Sequence, residues 1–210
     1  MDFKKHTVAI FTSAIFFFLF IVFTIIVKTP VLNSFDITSI TVIQSVIPRS
    51  FDTFFSVLSL IGSFEILFII LCAILFAQKK LTAYMVIVLL LGAHLIEYLS
   101  KSFLFHPGPP LAFLRYNLHF SFFTSSIEPG SSYPSGHSLR IVFLCVIIFY
   151  LLKINKKISI NIKKILYAAV LLFTLAMLVS RVSLGEHWAT DVFGGTLLGL
   201  AVSFASIIFL

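Results

Sequence analysis

Charge is what this chain has least of. Only 11% of its 210 residues are Asp, Glu, Lys or Arg, against 60% hydrophobic residues and 26 phenylalanines. A soluble domain needs much more polar surface, so the composition excludes a free-standing soluble fold and points to a bilayer. Cysteine is also scarce. Cys72 and Cys145 both lie in apolar stretches, where a thiol acts as a small buried hydrophobe, and neither supports a disulfide or a metal site. Acidic residues number 8 against 15 Lys and Arg, for a net charge of +7. Those basic residues fall in short runs between apolar segments rather than along one face, which argues against nucleic acid as a partner and for a role in membrane topology.

The apolar runs predict spans near residues 8–27, 54–77, 81–103, 136–152, 164–182 and 189–210. They are expected to be helices, because an open sheet leaves its backbone unsatisfied in lipid. The first run is longer than a signal-peptide core and no small-residue cleavage pattern follows it, so it reads as a retained helix. Residues 33–52 mix apolar side chains with Asp36, Gln44 and Arg49 and include Pro48, which suggests a partly amphipathic segment at the interface. The expected architecture is all-α: six transmembrane helices in one bundle with a short interfacial segment, forming a single domain over residues 1–210. Alternating the loops gathers Lys4, Lys5, Lys79, Lys80, Lys153, Lys156, Lys157, Lys163 and Lys164 on one side, which makes that side cytoplasmic. Tyr133 and Glu186 then belong to the outer side.

Three outer places concentrate residues with little structural reason to be in a membrane protein. Lys101 ends the third span, Pro134, Ser135, Gly136 and His137 open the fourth, and Ser180, Arg181, His187 and Asp191 cross the last hairpin. A Ser-Gly pair at a helix start leaves backbone N–H groups and the positive end of the helix dipole facing an anion. Lys101 and Arg181 add donors of the kind that hold phosphate. His187 and Asp191 are four apart, so on a helix they share a face, and the carboxylate can hold one imidazole nitrogen protonated while the other attacks. His137, beside the cradle, is placed to protonate a departing oxygen.

These motifs resemble the type 2 phosphatidic acid phosphatase superfamily, which also includes bacterial acid phosphatases and vanadium haloperoxidases. That family's pattern is Lys, six residues, Arg-Pro; then Pro-Ser-Gly-His; then Ser-Arg, five residues, His, three residues, Asp. The second and third parts are complete here, and the first departs at Gly108, which stands before Pro109 where the family has arginine. The resemblance runs from Lys101 to Asp191. It implies His187 as nucleophile oriented by Asp191, His137 as general acid, and Lys101, Ser135, Gly136 and Arg181 as phosphate-binding groups. It also implies a metal-independent phosphatase without cofactor. Losing one hydrogen bond to a charged group is expected to weaken phosphate binding about tenfold to a hundredfold. Arg140, one turn below His137, is the candidate replacement, since a guanidinium in a span needs a partner inside the bundle. Its competitors are an ion pair with Glu97 or Glu65, and Arg115 as the donor instead.

His94, Glu97 and Lys101 share one face of the third span and read as a supporting cluster in which Glu97 pairs with Lys101. His106 and His119 read as interfacial loop residues, and Gly195 and Gly199 as a small-residue packing pair. A site flush with the interface reaches lipid head groups, so the expected activity is hydrolysis of a lipid phosphate or pyrophosphate through a phosphohistidine. The location expected is the outer face of a bacterial-type cytoplasmic membrane. Phosphoryl transfer to another acceptor, and non-catalytic phospholipid binding or transport, are the alternatives.

Overall fold

The structure is a computed structural model that describes residues 3–118, 120, 122 and 130–210, without the side chains of residues 3–5. His119 lies outside the described residues. The described chain is all-helical: α1 Phe3–Val27, α2 Asn33–Val46, α3 Asp52–Ile61, α4 Phe64–Gln78, α5 Met85–Phe103, α6 Gly136–Ile154, α7 Ile160–Ser183 and α8 Ala189–Ser206. Among the described residues, α1, α5, α6, α7 and α8 are each long and apolar enough to cross a bilayer. The second span, expected at 54–77, is a bent pair in which α3 and α4 meet at 54°.

Helix α6 is the centre of the bundle, with 11 buried residues along its length. It packs on α8 through the predicted glycine pair, because a Cβ at Gly199 would stand 2.6 Å from the Leu139 carbonyl oxygen. Side chains there would separate the two backbones. Helix α1 lies along α8, with Phe16 stacked on Phe204 at 5.8 Å and the Ser13 hydroxyl donating to the Ala201 carbonyl at 2.7 Å. Tyr133, expected on the outer side, is fully buried against this pair, stacked on Phe20 and hydrogen-bonded through its hydroxyl to Thr24 at 2.9 Å.

The break between α3 and α4 has a physical cause. A helix end leaves its last carbonyls without internal partners, and in a membrane these must be satisfied by protein or line a cavity. Two side chains of α6 meet that need. Arg140 Nε donates to the Gly62 carbonyl at 3.2 Å and His137 Nε2 to the Ser59 carbonyl at 3.2 Å. Gly62 itself is pressed against Met177 of α7, where a Cβ would fall 2.7 Å from Cε.

Helix α2 carries exposed Phe35, Val42 and Val46 on one side and buries Asp36 and Ile40 against α7 and α8. This is the amphipathic segment expected from the sequence. Arg115 closes its C-terminal end by donating to the Gln44 carbonyl at 2.8 Å and the Ile47 carbonyl at 3.0 Å. Arg115 therefore anchors the loop after α5 to α2, a role that accounts for its guanidinium without a phosphate.

Candidate active site

The C-terminal ends of α3, α5 and α7 meet the N-terminal ends of α6 and α8 on one side of the bundle. A cavity of about 550 Å³ opens there, lined by Ser59, Ser63, Gly108, Tyr116, His137, Glu186 and His187 among others. Two of the residues singled out from the sequence, His137 and His187, form part of its wall. Ser135, Gly136, Lys101, Arg181 and Asp191 are buried.

His187 is not on a helix. It lies in the turn between α7 and α8, and Asp191 is the third residue of α8. The spacing of four works through a helix start: Asp191 Oδ2 accepts the Trp188 backbone N–H at 2.9 Å and lies 3.3 Å from His187 Nδ1. One carboxylate oxygen thus caps α8 and orients the imidazole, leaving its Nε2 edge for the cavity. A backbone bond from Ser135 N to the Asp191 carbonyl at 3.0 Å ties this turn to the start of α6.

At that start, Ser135 is the N-cap residue, its hydroxyl facing the Ser138 N–H at 3.5 Å. Gly136 is required by crowding, because a Cβ there would collide with Glu97 Oε1 and stand 2.9 Å from Arg140 Nη1. His137 follows. A carbonyl can only accept, so its contact with the Ser59 carbonyl assigns the proton to Nε2. Arg181, Arg140, His187 and Lys101 all lie within electrostatic reach of its ring. The three sequence motifs therefore converge on one imidazole.

The cations are held firmly. Lys101 Nζ pairs with Glu97 Oε1 at 3.1 Å, and Glu97 Oε2 meets His94 Nδ1 at 2.8 Å, as the shared face of the span suggests. Arg181 is wholly buried at the end of α7. Its Nε and Nη2 donate to the Ser180 hydroxyl at 3.2 and 2.9 Å, so the Ser-Arg pair is a positioning unit. Its Nη1 donates to the Ser59 hydroxyl and to Glu186 Oε2, both at 2.6 Å. The Glu186 carboxylate takes the position at the fork that an anionic ligand would contest. Arg140 faces the same cluster, bound to the Gly62 carbonyl and within electrostatic reach of Glu97.

Four residues of this neighbourhood were not assigned to it from the sequence. Ser59 had no signal inside an apolar run. Glu186, adjacent to His187, was given only a side of the membrane. Asp36 and His106 were read as interfacial, yet Asp36 receives the Thr190 backbone N–H at 2.9 Å in the first turn of α8, and His106 Nε2 stands 3.3 Å from Asp191 Oδ1.

Residues 80–210 match the PAP2 superfamily. The chain belongs to the PAP2 superfamily. Among its PAP2 relatives is the phosphatidylglycerophosphatase B of Bacillus subtilis strain 168, 36% identical over 77 residues. That match spans 37% of this chain and 38% of the relative. The fold is also that of solved PAP2 proteins. A transmembrane PAP2-type phosphatidylglycerolphosphate phosphatase from Bacillus subtilis superposes with a TM-score of 0.74 at 22% identity, over 93% of this chain and 94% of that one. LpxE of Aquifex aeolicus superposes with a TM-score of 0.62 at 21% identity, over 83% and 95% of the two chains.

Proposed function

We propose that this PAP2 protein hydrolyses a lipid phosphate or pyrophosphate head group through a phosphohistidine at His187. The observation that carries the reading is a pair of imidazoles on one cavity wall, His187 held by a buried carboxylate and His137 held by a carbonyl, with Arg181 and Lys101 behind them. His187 Nε2 attacks phosphorus while Asp191 keeps the proton on Nδ1. The P–O bond to the lipid breaks as the His137 imidazolium, its Nε2–H bonded to the Ser59 carbonyl, passes its Nδ1 proton to the leaving oxygen. Water then attacks the phosphohistidine, giving up a proton to the His137 base, and inorganic phosphate leaves. Lys101, Arg181, the Ser135 hydroxyl, the Gly136 amide at the α6 start and the charge of Arg140 stabilise the phosphoryl oxygens. The whole of residues 1–210 serves this one domain, and cations take the part that a metal plays in other phosphatases.

Phosphate release from purified protein tests this directly, with phosphatidylglycerol phosphate first in the panel because the Bacillus subtilis matches in sequence and in structure carry that activity in their names. Phosphatidic acid, a polyprenyl pyrophosphate and a phosphorylated lipid A complete it. Turnover is expected to survive EDTA. No release from any of the four, or full dependence on added magnesium, overturns the reading.

The site faces outward across a bacterial-type cytoplasmic membrane, on the side opposite the lysine-rich loops. Phe105 and Leu111 beside the site are 94% and 85% exposed, and Lys157 at the other end is exposed. With Cys72 and Cys145 replaced by serine, a cysteine at position 111 is expected to react with an impermeant maleimide in intact cells and one at 157 to stay unlabelled. The reverse pattern inverts the topology.

Gly108 lines the cavity, and a Cβ there meets only Ser132 at 3.5 Å, an ordinary contact, so the backbone there admits a side chain. Gly108→Arg is expected to lower KM for lipid phosphate about tenfold, with the larger gain in an Arg140→Ala background. An unchanged KM in both backgrounds removes position 108 from phosphate binding. Wild-type activity in Arg140→Ala removes Arg140.

A further inference from the structure

Behind the His187–Asp191 pair stands a second imidazole that the proposed steps do not use. His106, in the segment after α5, sets its Nε2 3.3 Å from Asp191 Oδ1, while His187 Nδ1 lies 3.3 Å from Oδ2. The Oδ1 contact is an ion-pair approach rather than an aligned hydrogen bond, and Asp191 is wholly buried. His106 Nε2 also comes within 3.5 Å of the Thr190 hydroxyl, which donates to Asp36 Oδ2 at 2.7 Å. The imidazole thus lies between two buried carboxylates. It also lines a second cavity of about 420 Å³ with Lys28, Asn33, Asp36 and Trp188, and this cavity shares no lining residue with the first.

We propose that His106 is a positioning residue that balances the charge of Asp191 from the side away from substrate, so that the carboxylate orients His187 without drawing a second proton onto it. The inference rests on the phosphohistidine reading. A lone buried carboxylate beside an imidazole favours the imidazolium, and an imidazolium has no lone pair with which to attack phosphorus. A second cation on the same carboxylate offsets that pull.

The groups facing His106 are Asp191 from α8, Asp36 from α2, Lys28 beyond α1 and Tyr133 before α6, whose ring stands edge-on at 6.1 Å. Against the desolvation that burial imposes, the contact with Asp191 and the charge of Asp36 hold the His106 imidazole above its ordinary value. Its positive charge is then fully present at acidic pH and is lost only as pH rises through that raised value. The second cavity lets this proton exchange with solvent while substrate fills the first.

The test compares pH profiles of kcat/KM for full-length wild type, His106→Gln and His106→Lys, on phosphatidylglycerol phosphate in detergent micelles. His106→Gln removes the charge, so the acidic limb is expected to move up by about one pH unit and turnover near pH 6 to fall about tenfold. Activity near pH 8 returns toward wild type, and KM stays within about twofold. His106→Lys restores the cation and is expected to return the limb to its wild-type position. An acidic limb that stays in place in His106→Gln overturns the proposal, whether activity is unchanged or reduced equally at every pH. If that variant does not fold, as judged by gel filtration and thermal unfolding, His106→Asn reads the same loss of charge. A wild-type protein whose turnover does not need His187 would defeat the phosphohistidine reading itself, and the role of His106 with it.

Discussion

His187→Ala is expected to lower turnover by roughly ten thousandfold or more while leaving the protein folded. The side chain lines the cavity and pairs with Asp191 Oδ2, which keeps its bond from the Trp188 backbone N–H in the variant. The backbone bond from residue 187 to the Arg181 carbonyl, 3.2 Å, does not depend on the imidazole. The loss should therefore appear in kcat, with lipid phosphate still bound by Arg181 and Lys101. Phosphate release measures the rate. Brief reaction with a substrate labelled in its phosphoryl group, quenched in base, should leave acid-labile label on wild type and none on the variant. Label retained by His187→Ala would move the nucleophile elsewhere, and wild-type turnover would discard the covalent route.

His137→Ala carries the second large effect, and its size should depend on the leaving group. A positioned general acid contributes about a hundred- to ten-thousandfold when the departing oxygen needs a proton. A lipid alkoxide needs one, and a nitrophenolate does not. Loss of His137 should thus lower kcat/KM, which extends only through leaving-group departure, severely on phosphatidylglycerol phosphate and only slightly on p-nitrophenyl phosphate. A structural consequence accompanies it, because the Ser59 carbonyl at the end of α3 loses its donor, and an unpaired buried polar group costs about 1 to 3 kcal/mol. His137→Gln separates the two effects: its amide can replace the bond to Ser59 but cannot serve as an acid at neutral pH. Equal losses on both substrates, or recovery of lipid turnover by glutamine, would make His137 a structural residue.

Much of this site is legible along the chain because its chemistry is local. Ser180 and Arg181 are adjacent, His187 and Asp191 close a single turn, and the Ser135–Gly136–His137 step is a helix start whose Gly136 and His137 amides have no partner within the helix. Hydropathy places Lys101, His137, Arg181 and His187 at one end of their spans before any motif is considered. The Glu97–Lys101 pair is legible for the same reason, since it lies within one helix. His187 itself shows the limit of such reading, because a spacing of four suggested one helix face and the structure makes it a cap.

What composition and hydropathy determined by themselves is the membrane, the helical class and the grouping of motif residues at one end of the bundle. Each follows from the free energy of apolar side chains and backbone in lipid, which is summed residue by residue. The tertiary structure alone decided that the second span breaks at Gly62, because the break depends on Arg140 and His137 arriving from α6 to satisfy carbonyls that α3 abandons. It alone decided that Arg115 closes α2, that Glu186 occupies the fork of Arg181, and that Asp36 and His106 stand behind Asp191. Those are contacts between residues 68 to 154 apart or across a turn, and a buried charge takes whatever partner packing brings to it, an identity that no local pattern encodes.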